Sequence, residues 1–207
     1  MSSLHFNTIS SIQRELLEAL GQLTFGTLVG GTALSLQINH RKSYDLDFAV
    51  QDKISDKMLK DIKKVLHKYN LSQRLSSDTQ YTAFADEMKI TFFQDTAPLM
   101  HSIQEFDKFN LASPKDIFSS KLYVMGRRAT WRDYVDVAVC LDKNINSLQG
   151  GIEEATKRYK VSQRWILDPL SYFDDLEITP IEWSEKEYTD DQIKQIIIKN
   201  IEEYLAQ

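Results

Sequence analysis

Leu28 to Val50 reads LVGGTALSLQINHRKSYDLDFAV, and the fold follows from how that stretch is parsed. An apolar run from Phe25 to Val29 meets Gly30-Gly31, the apolar-periodic positions Ala33, Leu34, Leu36 and Ile38 follow, and the stretch closes on Tyr44-Asp-Leu-Asp-Phe-Ala-Val50. The pattern predicts strand, glycine turn, short helix, strand. Successive side chains of the second strand alternate between faces. Leu46, Phe48 and Val50 therefore point into a core, while Asp45 and Asp47 share the other face. Two carboxylates about 7 Å apart on one strand repel as bare neighbours and suit a divalent metal ion.

The glycines carry the complementary half. Without a Cβ, Gly30 and Gly31 let the backbone approach a triphosphate, and a helix opening at Thr32 aims free N–H groups and the positive end of its dipole at it. The spacing suits a nucleotide together with its magnesium ion.

Outside this stretch the composition sets limits. With 207 residues, 42% hydrophobic and 27% charged, the chain can bury a sizeable core. No apolar run approaches the roughly 20 residues of a membrane span, and MSSLHFNTISS lacks the basic and apolar regions of a signal peptide, so the expected location is cytoplasmic with no membrane contact. The single cysteine, Cys140, lies in an apolar run and reads as packing. His5, His40, His67 and His101 lack ligand spacing and give no zinc site. A net charge of −5 excludes a broadly basic surface, so any RNA contact has to be local. The candidates are the Lys57, Lys60, Lys63, Lys64, Lys68 series and the Arg127, Arg128, Arg132 cluster. The lysine series also reads as the solvated face of an amphipathic helix.

Helical spacing of Ile9, Ile12, Leu16, Leu17 and Leu20 predicts a helix ahead of the first strand, and Ser55 caps another that runs to about Asn70. Strands are expected near Leu71–Leu75, Gln80–Ala85 and Glu87–Phe93; in the last, Lys89 and Thr91 fall on the face that can meet the aspartates. Ser113-Pro114 starts a helix carrying Lys121, and a helix from about Thr130 carries Asp133 and Asp136 at i, i+3. Gly150-Gly151 reads as a hinge, Ser162 as a cap, Pro180 as an extended linker, and Thr189-Asp-Asp-Gln192 as the capping box of a final helix.

Gly-Gly, a short helix and Asp-Leu-Asp-Phe resemble the signature of the polymerase-beta-like nucleotidyltransferases. Within them, GGTAL followed by RKSYDLDF resembles the AbiEii/AbiGii-type toxins of toxin–antitoxin and abortive-infection systems. The stretch DIFSSKLYVMGRRATWRDYVDVAVCL resembles that family's second signature. The resemblance implies an α/β (α+β) fold with a mixed sheet flanked by helices. It divides into a nucleotidyltransferase core over residues 1–112 and a helical region over 113–207 that completes the active site. It implies transfer of a nucleotide from an NTP to the 3′ end of a tRNA, with Mg2+ as cofactor and a cognate antitoxin protein as partner. Asp45 and Asp47 would hold the metal and be catalytic together with Lys121, on the phosphates, and Asp136, as acid or base. Gly30, Gly31, Thr32, Arg41, Ser43 and Lys89 would bind the nucleotide. Where such toxins often carry Lys-x-Asp, this chain has Lys89-Ile-Thr91, so a third acid is missing. Two other readings share the donor site: a transferase with a protein or small-molecule acceptor, and a non-catalytic nucleotide-binding module that has lost a metal ligand at Thr91.

Overall fold

The computed structural model describes residues 4–106 and 108–206; Met1–Ser3, Asp107 and Gln207 lie outside it. A 3-10 turn at Phe6–Thr8 leads to α1 (Ser11–Leu20), whose Ser10 and Gln13 cap each other reciprocally. β1 (Thr27–Val29) runs straight into α2 (Gly30–Ile38), and β2 (Leu46–Val50) returns antiparallel beside β1. α3 (Asp56–Val65), capped by Ser55, precedes β3 (Leu71–Ser76), β4 (Gln80–Ala85) and β5 (Met88–Gln94). Two short strands follow, β6 (Gln104–Phe106) and β7 (Phe109–Leu111). The remainder is helical: α4 (Pro114–Met125), α5 (Trp131–Asp142), α6 (Leu148–Tyr159), α7 (Gln163–Leu170) and α8 (Asp190–Leu205).

The described strands form one mixed sheet in the order β3-β4-β5-β2-β1-β7-β6. β2 is central, antiparallel to β1 and parallel to β5, and alternates as the sequence requires. Leu46, Phe48 and Val50 are buried, and Phe48 stacks on Phe92 with centroids 4.8 Å apart. The same register sets Asp47 between Val29 of β1 and Thr91 of β5. Asp47 is therefore locked beside the turn into α2.

Three details differ from the sequence expectation. α3 stops at Val65 rather than near Asn70, because the chain must turn to enter β3. β6 and β7 have only three residues each, too short for a periodicity to register. Gly150-Gly151 is no hinge but lies within α6. A Cβ on Gly151 would stand 2.2 Å from the Phe118 ring, so this glycine lets α6 close on α4.

α4 packs against α2, α5, α6 and α7, which ties the helical region to the sheet through buried Phe118, Leu122, Trp131 and Tyr134. Beyond α7 an extended strap runs beside the segment entering β2. The Lys42 N–H donates to the Glu182 carbonyl (2.8 Å), and the Ser184 N–H donates to the His40 carbonyl (3.1 Å). Among the described residues no helix is long and apolar enough to cross a membrane.

Candidate active site

The turn from β1 into α2 is built for close approach. Gly30 has φ +71°, a left-handed conformation that favours glycine, and a Cβ there would meet an Asp47 carboxylate oxygen at 3.3 Å. Val29 is the N-cap of α2 and offers no side-chain acceptor, whereas the other described α-helices begin at Ser or Thr. The first N–H groups of α2 are thus left for an external acceptor, at the helix end where the dipole favours an anion. A Cβ on Gly31 would fall 2.6 Å from the Arg41 Nη2 and 3.1 Å from the Ser43 hydroxyl, so both side chains press on the turn from beneath.

Thr32 and Ser43 hold that turn in place. The buried Thr32 hydroxyl donates to the Asp45 carbonyl and pairs with the Ser43 hydroxyl at 2.9 Å, and the Gln13 amide donates to the Ser43 carbonyl at 2.9 Å. One hydroxyl cluster thereby couples the start of α2 to the backbone at Asp45.

Asp45 and Asp47 stand on one face at the end of β2. The Lys89 ammonium lies 3.5 Å from Asp45, with both side chains well exposed. Burial, then the charge of Asp45, push the Asp47 carboxyl above its ordinary range, while Lys89, Lys121 and the Thr91 hydroxyl pull it partly back. A carboxylate pair whose repulsion is only partly relieved, beside a glycine whose absent Cβ leaves room, fits a magnesium ion that keeps several waters and takes few protein ligands. Among the described residues no cluster of three His, Cys, Asp or Glu side chains could hold a metal, and the acids beside this turn are the Asp45 and Asp47 pair. Thr91 of β5 is paired in register with Asp47.

Behind this face lies a fully buried hub at Asp136. Its Oδ1 accepts from Arg41 Nε at 2.7 Å and His40 Nε2 at 2.8 Å, and its Oδ2 accepts from Arg41 Nη2 at 2.9 Å and Lys121 Nζ at 2.8 Å. Burial alone would raise this carboxyl. Arg41, Lys121 and the His40 hydrogen bond override it and hold the group well below the usual carboxylate range. Lys121 also donates to Asp133 Oδ1 at 2.7 Å, while the other Asp133 oxygen accepts from the Thr130 N–H and hydroxyl in the capping box of α5. Burial opposes the Lys121 charge, but the two aspartates outweigh it and raise its pKa.

The structure therefore puts Gly30, Gly31, Asp45, Asp47 and Lys89 at one end of the sheet, with Lys121 in electrostatic reach of Asp47. Two expectations are revised. Asp136 has no exposure, and cations take both its oxygens, so an acceptor hydroxyl cannot reach it as a general base. Arg41 commits its guanidinium to Asp136 and the Lys42 carbonyl, so it buttresses the glycine turn from behind instead of facing a phosphate. His40 was missed, because a lone histidine before an arginine carries no sequence signal for a buried carboxylate 96 residues away.

The family model described as the nucleotidyl transferase AbiEii toxin of a type IV toxin–antitoxin system matches residues 14–204. The chain belongs to the AbiEii nucleotidyltransferase toxin family. AbiEii membership makes it a nucleotidyltransferase, and solved structures agree on the fold. MenT4, a nucleotidyltransferase toxin of Mycobacterium tuberculosis, superposes with a TM-score of 0.66 at 15% identity, over 91% of this chain and 80% of that one. A putative nucleotidyltransferase from H. pylori gives 0.58 at 16% identity, over 94% of each. An uncharacterized protein of Aquifex aeolicus is 26% identical over 201 residues, 93% of this chain and 96% of its own length.

Proposed function

We propose that this AbiEii protein is a magnesium-dependent cytoplasmic toxin that transfers a nucleotide from an NTP to RNA, at the 3′ end of a tRNA, and is paired with a cognate antitoxin protein. The observation that carries the reading is the Asp45–Asp47 pair set against the uncapped Gly30-Gly31 start of α2. The type IV toxin–antitoxin description of the family supports the biological role.

Asp45 and Asp47 would hold Mg2+, which when bound supplies positive charge to the triphosphate and its leaving pyrophosphate. The first N–H groups of α2 cradle the phosphate oxygens. Lys121, kept charged by Asp133 and Asp136, offsets charge developing at the reacting phosphorus. Lys89 neutralises Asp45 before the nucleotide arrives and then has an ammonium to offer a phosphate. The acceptor oxygen forms its bond to the α-phosphorus as the bond to pyrophosphate breaks. With Asp136 out of reach, its proton passes to solvent water, Asp45 and Lys89 being well exposed. In this reading residues 113–207 complete a site that residues 1–112 begin, through Lys121 and the Asp136 hub.

The test is incubation of the purified protein with α-labelled NTP, Mg2+, total RNA and a protein mixture. Label in the RNA fraction supports the proposal. Label in protein or small molecules alone refutes the acceptor, and no Mg-dependent turnover refutes transfer.

A further inference from the structure

We infer that the exposed surface at the turn between α4 and α5, formed by Arg127, Arg128 and Trp165, holds the single-stranded end of the acceptor RNA; this rests on the RNA transfer proposed above. Arg127 and Arg128 are exposed and have no ion-pair partner among the described residues. They sit six and seven residues beyond Lys121, in the turn that follows the end of α4 at Met125.

Next to them an aromatic side chain is held rigidly in the open. Trp165 of α7 is 40% exposed, and its Nε1–H donates to the Tyr123 carbonyl at 3.2 Å. It covers Gly126 so closely that a Cβ there would fall 2.1 Å from Nε1, so glycine is what admits the indole. Tyr123 is itself stacked on Tyr159, with centroids 3.9 Å apart, which stiffens the platform. Ordinary packing would bury an indole. Here one edge is pinned and part of the ring is left to solvent.

Arg132 continues the positive character toward Asp45. It is exposed on the first turn of α5, beside the Asp133 that holds Lys121, and its guanidinium lies 5.5 Å from the Tyr44 ring centre, one residue from Asp45. Arginines that track a phosphate backbone, with an aromatic ring on which an unpaired base stacks, form the recognition unit for single strands. In a chain of net charge −5 this attraction is local, so it selects where the polyanion lies. A duplex has no unstacked base to place on the indole.

The experiment compares the full-length protein with the Arg127→Ser/Arg128→Ser double variant, Trp165→Leu and Trp165→Phe. It uses a short single-stranded RNA with a free 3′ hydroxyl, and a blunt RNA duplex. The double variant should raise KM for the single strand at least ten-fold, leave KM for NTP unchanged, and lower the log–log salt slope by about 1.4, the value for two single-strand phosphate contacts. Trp165→Leu should weaken the single strand roughly ten-fold, and Trp165→Phe should retain most of the affinity. Arginines that serve only the α4 dipole would lower the melting temperature and leave KM unmoved, which overturns the inference. So does equal use of the duplex. Unchanged KM and salt slope in variants of a wild type that labels RNA remove this surface alone, whereas a wild type that labels no RNA removes the proposed function with it.

Discussion

Asp136→Asn separates a structural hub from a catalytic base. The substitution keeps shape and removes one negative charge from a cluster in which Arg41 is 4% exposed and Lys121 13%. Lys121 keeps its contact with Asp133, whereas among the described residues Asp136 is the one carboxylate in ion-pair contact with Arg41, Asp133 acting on it only at longer range. Removing one partner of a buried pair costs about 3–5 kcal/mol, because the other charge is left without compensation. Against a total stability of roughly 5–15 kcal/mol that is a large fraction. At about 2–4 °C per kcal/mol for a chain of this size, the melting temperature should fall by roughly 6–20 °C. Calorimetric melts of wild type and variant at neutral pH are the assay. Activity should fall alongside stability, because Lys121 and the Arg41 buttress loosen together. A variant that melts with the wild type while losing transfer would refute the hub and restore a base at Asp136.

His40 gives a pH signature: burial, only partly offset by Asp136, lowers its pKa with Arg41 and Lys121 also facing it, so the unfolded chain takes up a proton that the folded one refuses. Stability is therefore present above about pH 6.5 and lost as pH falls, by up to about 1.4 kcal/mol per unit, and His40→Asn should remove that slope in denaturant titrations. Gly31→Ala forces Arg41 or Ser43 aside, so a loss of about 1–3 kcal/mol and a raised KM for NTP are expected; unchanged melts and kinetics would contradict the buttressed turn. Thr91→Asp puts a third carboxylate beside Asp47. It should lower the melting temperature of the metal-free protein and create magnesium binding in calorimetry without nucleotide; wild-type melts and no new binding would show that Thr91 does not face the metal.

The parts legible in sequence were those with local signals. The alternation of Leu46, Phe48 and Val50 against Asp45 and Asp47, the Gly30-Gly31 turn and the Ser55, Ser113, Ser162 and Thr189 caps all rest on neighbours a few residues apart. What escaped rests on long-range burial. Asp136 and Arg41 have residue types that suit catalysis and phosphate binding, and only their exposure shows that each is spent on the other. Gly150-Gly151 has the composition of a hinge, yet both lie within α6 and Gly151 sits at its contact with Phe118 and Leu122 of α4. Trp165 and Arg127 are 38 residues apart, so their approach over Gly126 becomes visible only when α7 is folded onto α4.

In the proposed function Asp45 and Asp47 are a metal-holding pair for nucleotidyl transfer. Magnesium-dependent transfer of label from α-labelled NTP, measured for wild type and for an Asp47→Asn protein shown by melting to be folded, tests it most directly. Asparagine relieves the repulsion with Asp45, so the variant should be at least as stable as wild type while transfer falls by about three orders of magnitude or more, on the order of 4 kcal/mol of lost transition-state stabilisation. Wild-type rates from the folded Asp47→Asn protein would contradict the account.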